Sequence, residues 1–139
     1  MDKIFIDCNI LIDWLTERLP FSYHAEELLS LIELKKVKGY ISPLTLSNTY
    51  YILRKQTSKK ITNEFLNDSR KLFTILDITK EMTISAIDNK FRDFEDDLHY
   101  QTAIKNNLDY IITRNKKDFK TKNINILTAE EYLNIIKNR

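Results

Sequence analysis

The chain is poor in the residues that punctuate most folds. Its 139 residues include one glycine, Gly39, one cysteine, Cys8, and two prolines. A lone glycine cannot supply a Walker A loop, a G-x-G-x-x-G dinucleotide turn or a G-x-S-x-G nucleophile elbow, so the enzyme classes built on those turns are excluded. Tight two-residue hairpins favour Asn-Gly, Asp-Gly or Gly-Gly, and none of these pairs occurs. Strands are therefore expected to be joined by helical crossovers. One cysteine forms no internal disulfide, and without a C-x-x-C pair a structural zinc site is disfavoured; a reducing, cytoplasmic setting is expected. No apolar run approaches the roughly 18 residues of a membrane span, and the first residues lack a secretory pattern, so no membrane association is expected. Charge of one sign is also scarce. Lys and Arg number 22 against 20 Asp and Glu, a net +2, so the position of the charges carries more information than their sum.

What is present is the material of one globular domain, expected to span residues 1–139: 42% hydrophobic and 30% charged residues, enough for a real core. Lys3 to Ile6 is a short apolar run, and Ile10, Leu11, Trp14 and Leu15 recur at helical spacing within Asn9 to Glu17. Ser22 is suited to cap a helix running to Lys36. Gly39 to Ile41 reads as a strand, and Ser42-Pro43 opens a helix to about Gln56. Ile61 to Leu72 is amphipathic. Phe73 to Leu76 predicts a third strand, Thr79 caps a helix ending at Asn89, and Asp96 to Asn106 is helical. Tyr110 to Ile112 and Asn125 to Leu127 are the last strands, and Thr128 with Glu131 forms a capping box opening the final helix. Strands alternating with helices predict an α/β fold, a three-layer sandwich with a five-stranded parallel sheet flanked by helices.

In such sheets ligands bind outside the carboxyl ends of the strands, where the strand order reverses. Those positions hold Asp7, Ser42 with nearby Asn48, Asp77, and then Thr113, Arg114, Asn115 and Asp118. A second acidic group, Asp93-Phe94-Glu95-Asp96-Asp97, opens the helix leading into the fourth strand. Taken singly, each acid serves as a helix cap or as favourable charge at a helix N-terminus. If Asp7, Asp96 and Asp118 converge, however, their repulsion calls for a cation, and carboxylate oxygens suit Mg²⁺ or Mn²⁺. The run Arg114 to Lys122 places basic residues, Lys116 and Lys117 among them, around Asp118, a rim suited to a polyanion. Cys8 lacks an evident activating base, and His99, at i+3 from Asp96, receives no role because a lone histidine there is more often a surface or supporting residue.

In order, Asp7-Cys8-Asn9, Ser42 to Tyr51, Asp93 to Asp97 and Ile111 to Phe119 resemble the four motifs of the PIN domain family across essentially the whole chain. The likeness is to small bacterial VapC-like toxin ribonucleases whose fourth motif reads T-R-N-x-x-D-F. The resemblance implies a ribonuclease using Mg²⁺ or Mn²⁺, a homodimer, and an antitoxin protein as partner. It implies metal-coordinating roles for Asp7, Asp96 and Asp118, with Glu95 and Thr113 assisting and Asn9, Arg114, Lys116 and Lys117 meeting RNA. The chain departs from the pattern at Asn48, where most such nucleases carry glutamate, and at Asn115, where many carry aspartate. Two fewer charges would weaken divalent binding. The rival readings are a PIN-fold module that binds RNA or protein and cuts poorly, and a phospho-receiver domain using Asp77.

Overall fold

The computed structural model describes residues 1–90, 93–119 and 123–139. Its elements are β1 (Lys3–Ile6), α1 (Cys8–Leu15), α2 (Phe21–Glu33), β2 (Lys38–Ile41), α3 (Pro43–Gln56), α4 (Lys59–Leu72), β3 (Thr74–Ile75), α5 (Lys80–Asn89), α6 (Phe94–Lys105), β4 (Tyr110–Ile112), a 3-10 turn (Lys116–Asp118), β5 (Asn125–Leu127) and α7 (Ala129–Lys137). The five strands pair in parallel in the order β3-β2-β1-β4-β5. The strand order therefore reverses between β1 and β4, and the crevice for a ligand lies beyond their carboxyl ends.

Alternation along β1 decides what each face packs against. Ile4 and Ile6 point into a core shared with α1, α2, α3, α4 and α7, through residues such as Leu11, Leu28, Leu53, Phe65 and Tyr132. Phe5 points to the opposite face, against Tyr100 and Ala103 of α6 together with Tyr40 and Ile111. The sheet is thus the middle of three layers. Gly39 sits where the helical layer presses hardest on β2: a Cβ there would stand 2.8 Å from Ile32 Cδ1 and 2.9 Å from Phe73 Cδ1. The only glycine is kept for close approach, so helix ends use other residues in the left-handed region, among them Lys35 (φ 59°), Lys90 (φ 56°) and Asn107 (φ 55°).

The predicted caps at Thr79 and Thr128 form, the latter as a reciprocal box with Glu131, and Asp7 and Ser42 cap α1 and α3. Ser22 does not cap α2. That helix starts a residue earlier behind Pro20, which offers no side-chain oxygen, and Ser22 is buried in its first turn. The third strand is shorter than expected because it lies at the sheet edge, with only Thr74 and Ile75 paired to β2. That position also removes the phospho-receiver reading: β2 separates β3 from β1, and Asp77 is exposed at the sheet's rim, remote from Asp7 and Thr113. Among the described residues no helix is long and apolar enough to cross a membrane.

Candidate metal centre

Asp7 follows β1 directly and caps α1, accepting a hydrogen bond from Cys8 N at 2.7 Å on Oδ1. Residue 113 follows β4 one register step beyond the Ile6–Ile112 pair, so Thr113 is carried to Asp7's side. Its hydroxyl donates to Asp7 Oδ2 at 2.7 Å. Asn9, in the first turn of α1, donates to the same oxygen at 3.2 Å and accepts from Arg114 N at 3.3 Å. Asp7, Asn9 and Thr113 are therefore one hydrogen-bonded unit bridging the switch point. Asp7 is 4% exposed and Thr113 is fully buried.

The third motif arrives from α6. Asp93 caps this helix, accepting from Asp96 N at 3.1 Å, and every residue from Asp96 to Ala103 is buried. Asp96, Asp7 and His99 each offer one ligand atom, and the three atoms all lie within 4.8 Å of one another. The metal-free electrostatics are strained. Burial, then Asp7 and Asp93, push the Asp96 carboxyl up to about 7, with Asp118 adding to the effect and His99 opposing it. Burial by itself would lower the His99 imidazolium, but Glu95, Asp7 and Asp96 together hold it above the ordinary histidine value. Glu95 is held below the ordinary glutamate value, foremost by the His99 imidazole, whose Nε2 lies 3.6 Å from its Oε1, and despite partial burial. Cys8 is pushed far up by burial and by Asp7, so its thiol stays protonated and nucleophilic use of it is ruled out.

The two asparagine departures have visible partners. Asn48 Nδ2 on α3 donates to Glu95 Oε1 at 2.6 Å, so the second motif orients a carboxylate from α6 where the resemblance leads one to expect its own. Asn115 Nδ2 donates to Asp118 Oδ2 across the 3-10 turn. Asp118 is half-buried near Asp96 but outside the three-residue cluster. The basic rim is partly committed. Arg114 grips the buried Asp13 with Nε at 2.5 Å and Nη2 at 3.1 Å while lying over the Phe21 ring, and Lys116 bonds both carboxylate oxygens of Glu131 at 2.9 Å. Lys117 is exposed. Lys120, Thr121 and Lys122 of the basic run lie outside the described residues.

A PIN domain family model matches residues 3–117. This chain belongs to the PIN domain family. It is similar to Ribonuclease VapC1 of Aquifex aeolicus (strain VF5), with 28% identity over 94% of this chain and 93% of that protein. Among solved structures, a toxin-antitoxin complex from Klebsiella pneumoniae superposes with a TM-score of 0.67 at 21% identity, over 91% of this chain and 97% of that one. The Sarcin-Ricin loop cleaving toxin VapC20 of Mycobacterium tuberculosis gives 0.64 at 14% identity, over 78% and 86%. The five-stranded α/β sandwich expected from the sequence is thus the PIN fold.

Two residues of this PIN domain escaped the sequence reading. His99 is 1% exposed, so it is not a surface residue, and its ring packs against Phe5 with centroids 5.1 Å apart. The signal that pointed to it was its i+3 spacing from Asp96, which puts both on one helix face. Asp13 left no local signal, because its partner Arg114 lies 101 residues away.

Proposed function

We propose that this chain is a divalent-metal-dependent endoribonuclease, acting as the toxin-like component of a toxin-antitoxin pair. The observation that carries the reading is the meeting of Asp7 and Asp96, from different elements, in the crevice between β1 and β4, together with a buried histidine. Like charges brought this close out of water are tolerated when a cation joins them. The donor set fits such an ion: two buried carboxylates, a third at Asp118, and an imidazole whose nitrogens lack hydrogen-bond partners among the described residues. Asp7, Asp96 and Asp118 would hold it, and Mg²⁺ or Mn²⁺ are the ions proposed. When bound, such an ion supplies positive charge against a phosphodiester's developing negative charge and acidifies a water.

The chain's own residues do the rest. Thr113 and Asn9 fix the Asp7 carboxylate in place, since three donors converge on it. Glu95, clamped by Asn48, keeps a negative charge at neutral pH and orients a water for in-line attack on phosphorus. Lys117 meets the RNA backbone first, while Arg114 and Lys116 do so by exchanging their carboxylates for phosphate. The named relatives support the biological setting: VapC1 is called a ribonuclease, and the Klebsiella structure is a toxin-antitoxin complex. An antitoxin partner is proposed on that basis, and a homodimer on the family resemblance.

The test is cleavage of structured and single-stranded RNAs by highly purified protein with Mn²⁺, Mg²⁺ or EDTA, beside an identically prepared Asp96→Asn variant. Cleavage that requires metal and vanishes in the variant is expected. Its absence, together with no divalent binding by calorimetry at millimolar ion, would favour the non-cutting RNA- or protein-binding module, the reading motivated by the neutral Asn48 and Asn115.

A further inference from the structure

We infer that His99 is a direct nitrogen ligand of the ion, and that the site consequently takes a first-row transition ion of the Mn²⁺ to Zn²⁺ series in preference to Mg²⁺. The inference rests on the metal-dependent reading above and specifies its chemistry. Among the described residues neither ring nitrogen of His99 has a hydrogen-bond partner, although the side chain is 1% exposed. A buried polar atom left unsatisfied is costly and uncommon, so a partner is missing. Nε2 stands 3.6 Å from Asp7 Oδ1 and 3.6 Å from Glu95 Oε1. Both separations exceed a hydrogen bond. The separation from Asp7 is close to the spacing of about 3–3.5 Å between neighbouring atoms that share one ion at roughly 2.1 Å.

The surroundings hold the imidazole in that position. α6 projects Asp96 and His99 from one face, and Phe5 backs the ring on its apolar side. The residues at the two departures turn their amide nitrogens elsewhere, Asn48 to Glu95 and Asn115 to Asp118. His99 therefore supplies a strong donor where the family pattern has lost acids. Mg²⁺ demands oxygen ligands in a near-octahedral shell, whereas imidazole favours the softer transition ions, so a mixed Asp-Asp-His set discriminates against Mg²⁺.

Pulsed electron paramagnetic resonance of the Mn²⁺-loaded full chain reads the ligand directly. Only His24 and His99 are present, and His24 is a part-exposed residue beside Glu130, outside the site. In a His24→Gln background, a nitrogen coupling that changes on [¹⁵N]histidine labelling and disappears in His99→Gln is expected. Calorimetry should show Mn²⁺ bound at least 10-fold more tightly than Mg²⁺, with the ratio falling about 10-fold in His99→Gln. Should His99→Gln fail to fold, the isotope comparison decides by itself. Tight Mn²⁺ binding without nitrogen coupling overturns the inference and leaves the metal-dependent reading standing; His99 is then a fixed imidazolium beside the acids. Failure of the parent chain to bind either ion at millimolar concentration overturns both.

Discussion

Helices α6 and α7 pack on opposite faces of one sheet, and they are built on opposite principles. α7 opens with a complete capping box and buries an apolar stripe, Ala129, Tyr132 and Leu133, of which Ala129 and Tyr132 join the larger core. Its polar residues face solvent, and even the buried Tyr132 hydroxyl donates to Asp2 at 2.7 Å. α6 buries a continuous run that includes Asp96, Asp97, His99, Gln101 and Thr102. Some of these groups are satisfied: Asn89 donates to Asp97 at 3.0 Å, and Thr102 donates to Leu98 O at 2.7 Å. His99 is not, and Asp96 faces other acids. α7 is a stabilising element, whereas α6 spends stability on a charged crevice.

That contrast breaks cleanly if the two helices respond to different assays. Asp96→Asn on α6, like Asp7→Asn, should lower RNA cleavage by roughly 10³-fold or more. Metal-free melting of Asp96→Asn should be unchanged or raised, because a buried repulsion is removed. Tyr132→Ala on α7 should do the reverse, costing about 3–5 kcal/mol in urea unfolding while the folded fraction keeps its specific activity. If Tyr132→Ala instead abolished cleavage without loss of stability, the division of labour would be wrong.

Titration sharpens the difference further. Asp96 is raised from 3.8 to about 7 in the fold, so between those values the folded state holds a proton that the unfolded chain has released. Stability therefore falls as pH rises through that window, by about 2 kcal/mol between pH 5 and 8 in metal-free protein. His99, also raised, adds a contribution present below its unfolded value and lost at higher pH, in the same direction. Glu95, lowered, contributes only above the acid range and loses its effect as pH falls below it. Chemical unfolding from pH 5 to 8 should show the decline, and Asp96→Asn or saturating Mn²⁺ should flatten it. Asn48→Ala, which frees Glu95, should reduce cleavage about 10-fold with little change in melting temperature. The smallest effect is expected at the end of α5, the helix packed along α6. Lys90→Gly relieves a left-handed residue at φ 56° and should gain about 0.5–1 kcal/mol in the same unfolding assay.

The same two helices show how far a single sequence carries. α7 was legible because each of its signals is local: Thr128 and Glu131 are three residues apart, and its apolar residues recur at helical period. The boundaries of β1, β4 and β5 and the position of Asp7 followed from short apolar runs and the residues that end them. In α6 the period fails, since burial there comes from α5 and the sheet enclosing the helix on several sides. Polarity then says little about exposure, and the sequence alone leaves His99 as a surface or supporting residue. The Arg114–Asp13 and Asn48–Glu95 pairs join distant segments, so only the folded chain reveals that Arg114's fork holds a buried acid and that Asn48 serves Glu95.

Asp7 caps α1 and is also a proposed ligand, and that double duty bears on how the crevice would handle an ion over time. Its oxygens already receive the amide of Cys8, the hydroxyl of Thr113 and the amide of Asn9, and it sits at the positive end of α1. Those contacts lock the carboxylate into position before any ion arrives, which removes the ordering cost of binding. They also draw electron density from the oxygens, so the carboxylate grips less firmly than an unbonded one. On the proposed metal-dependent reading, this predicts a rigid, quickly exchanging berth whose occupancy follows the concentration of free ion around the protein.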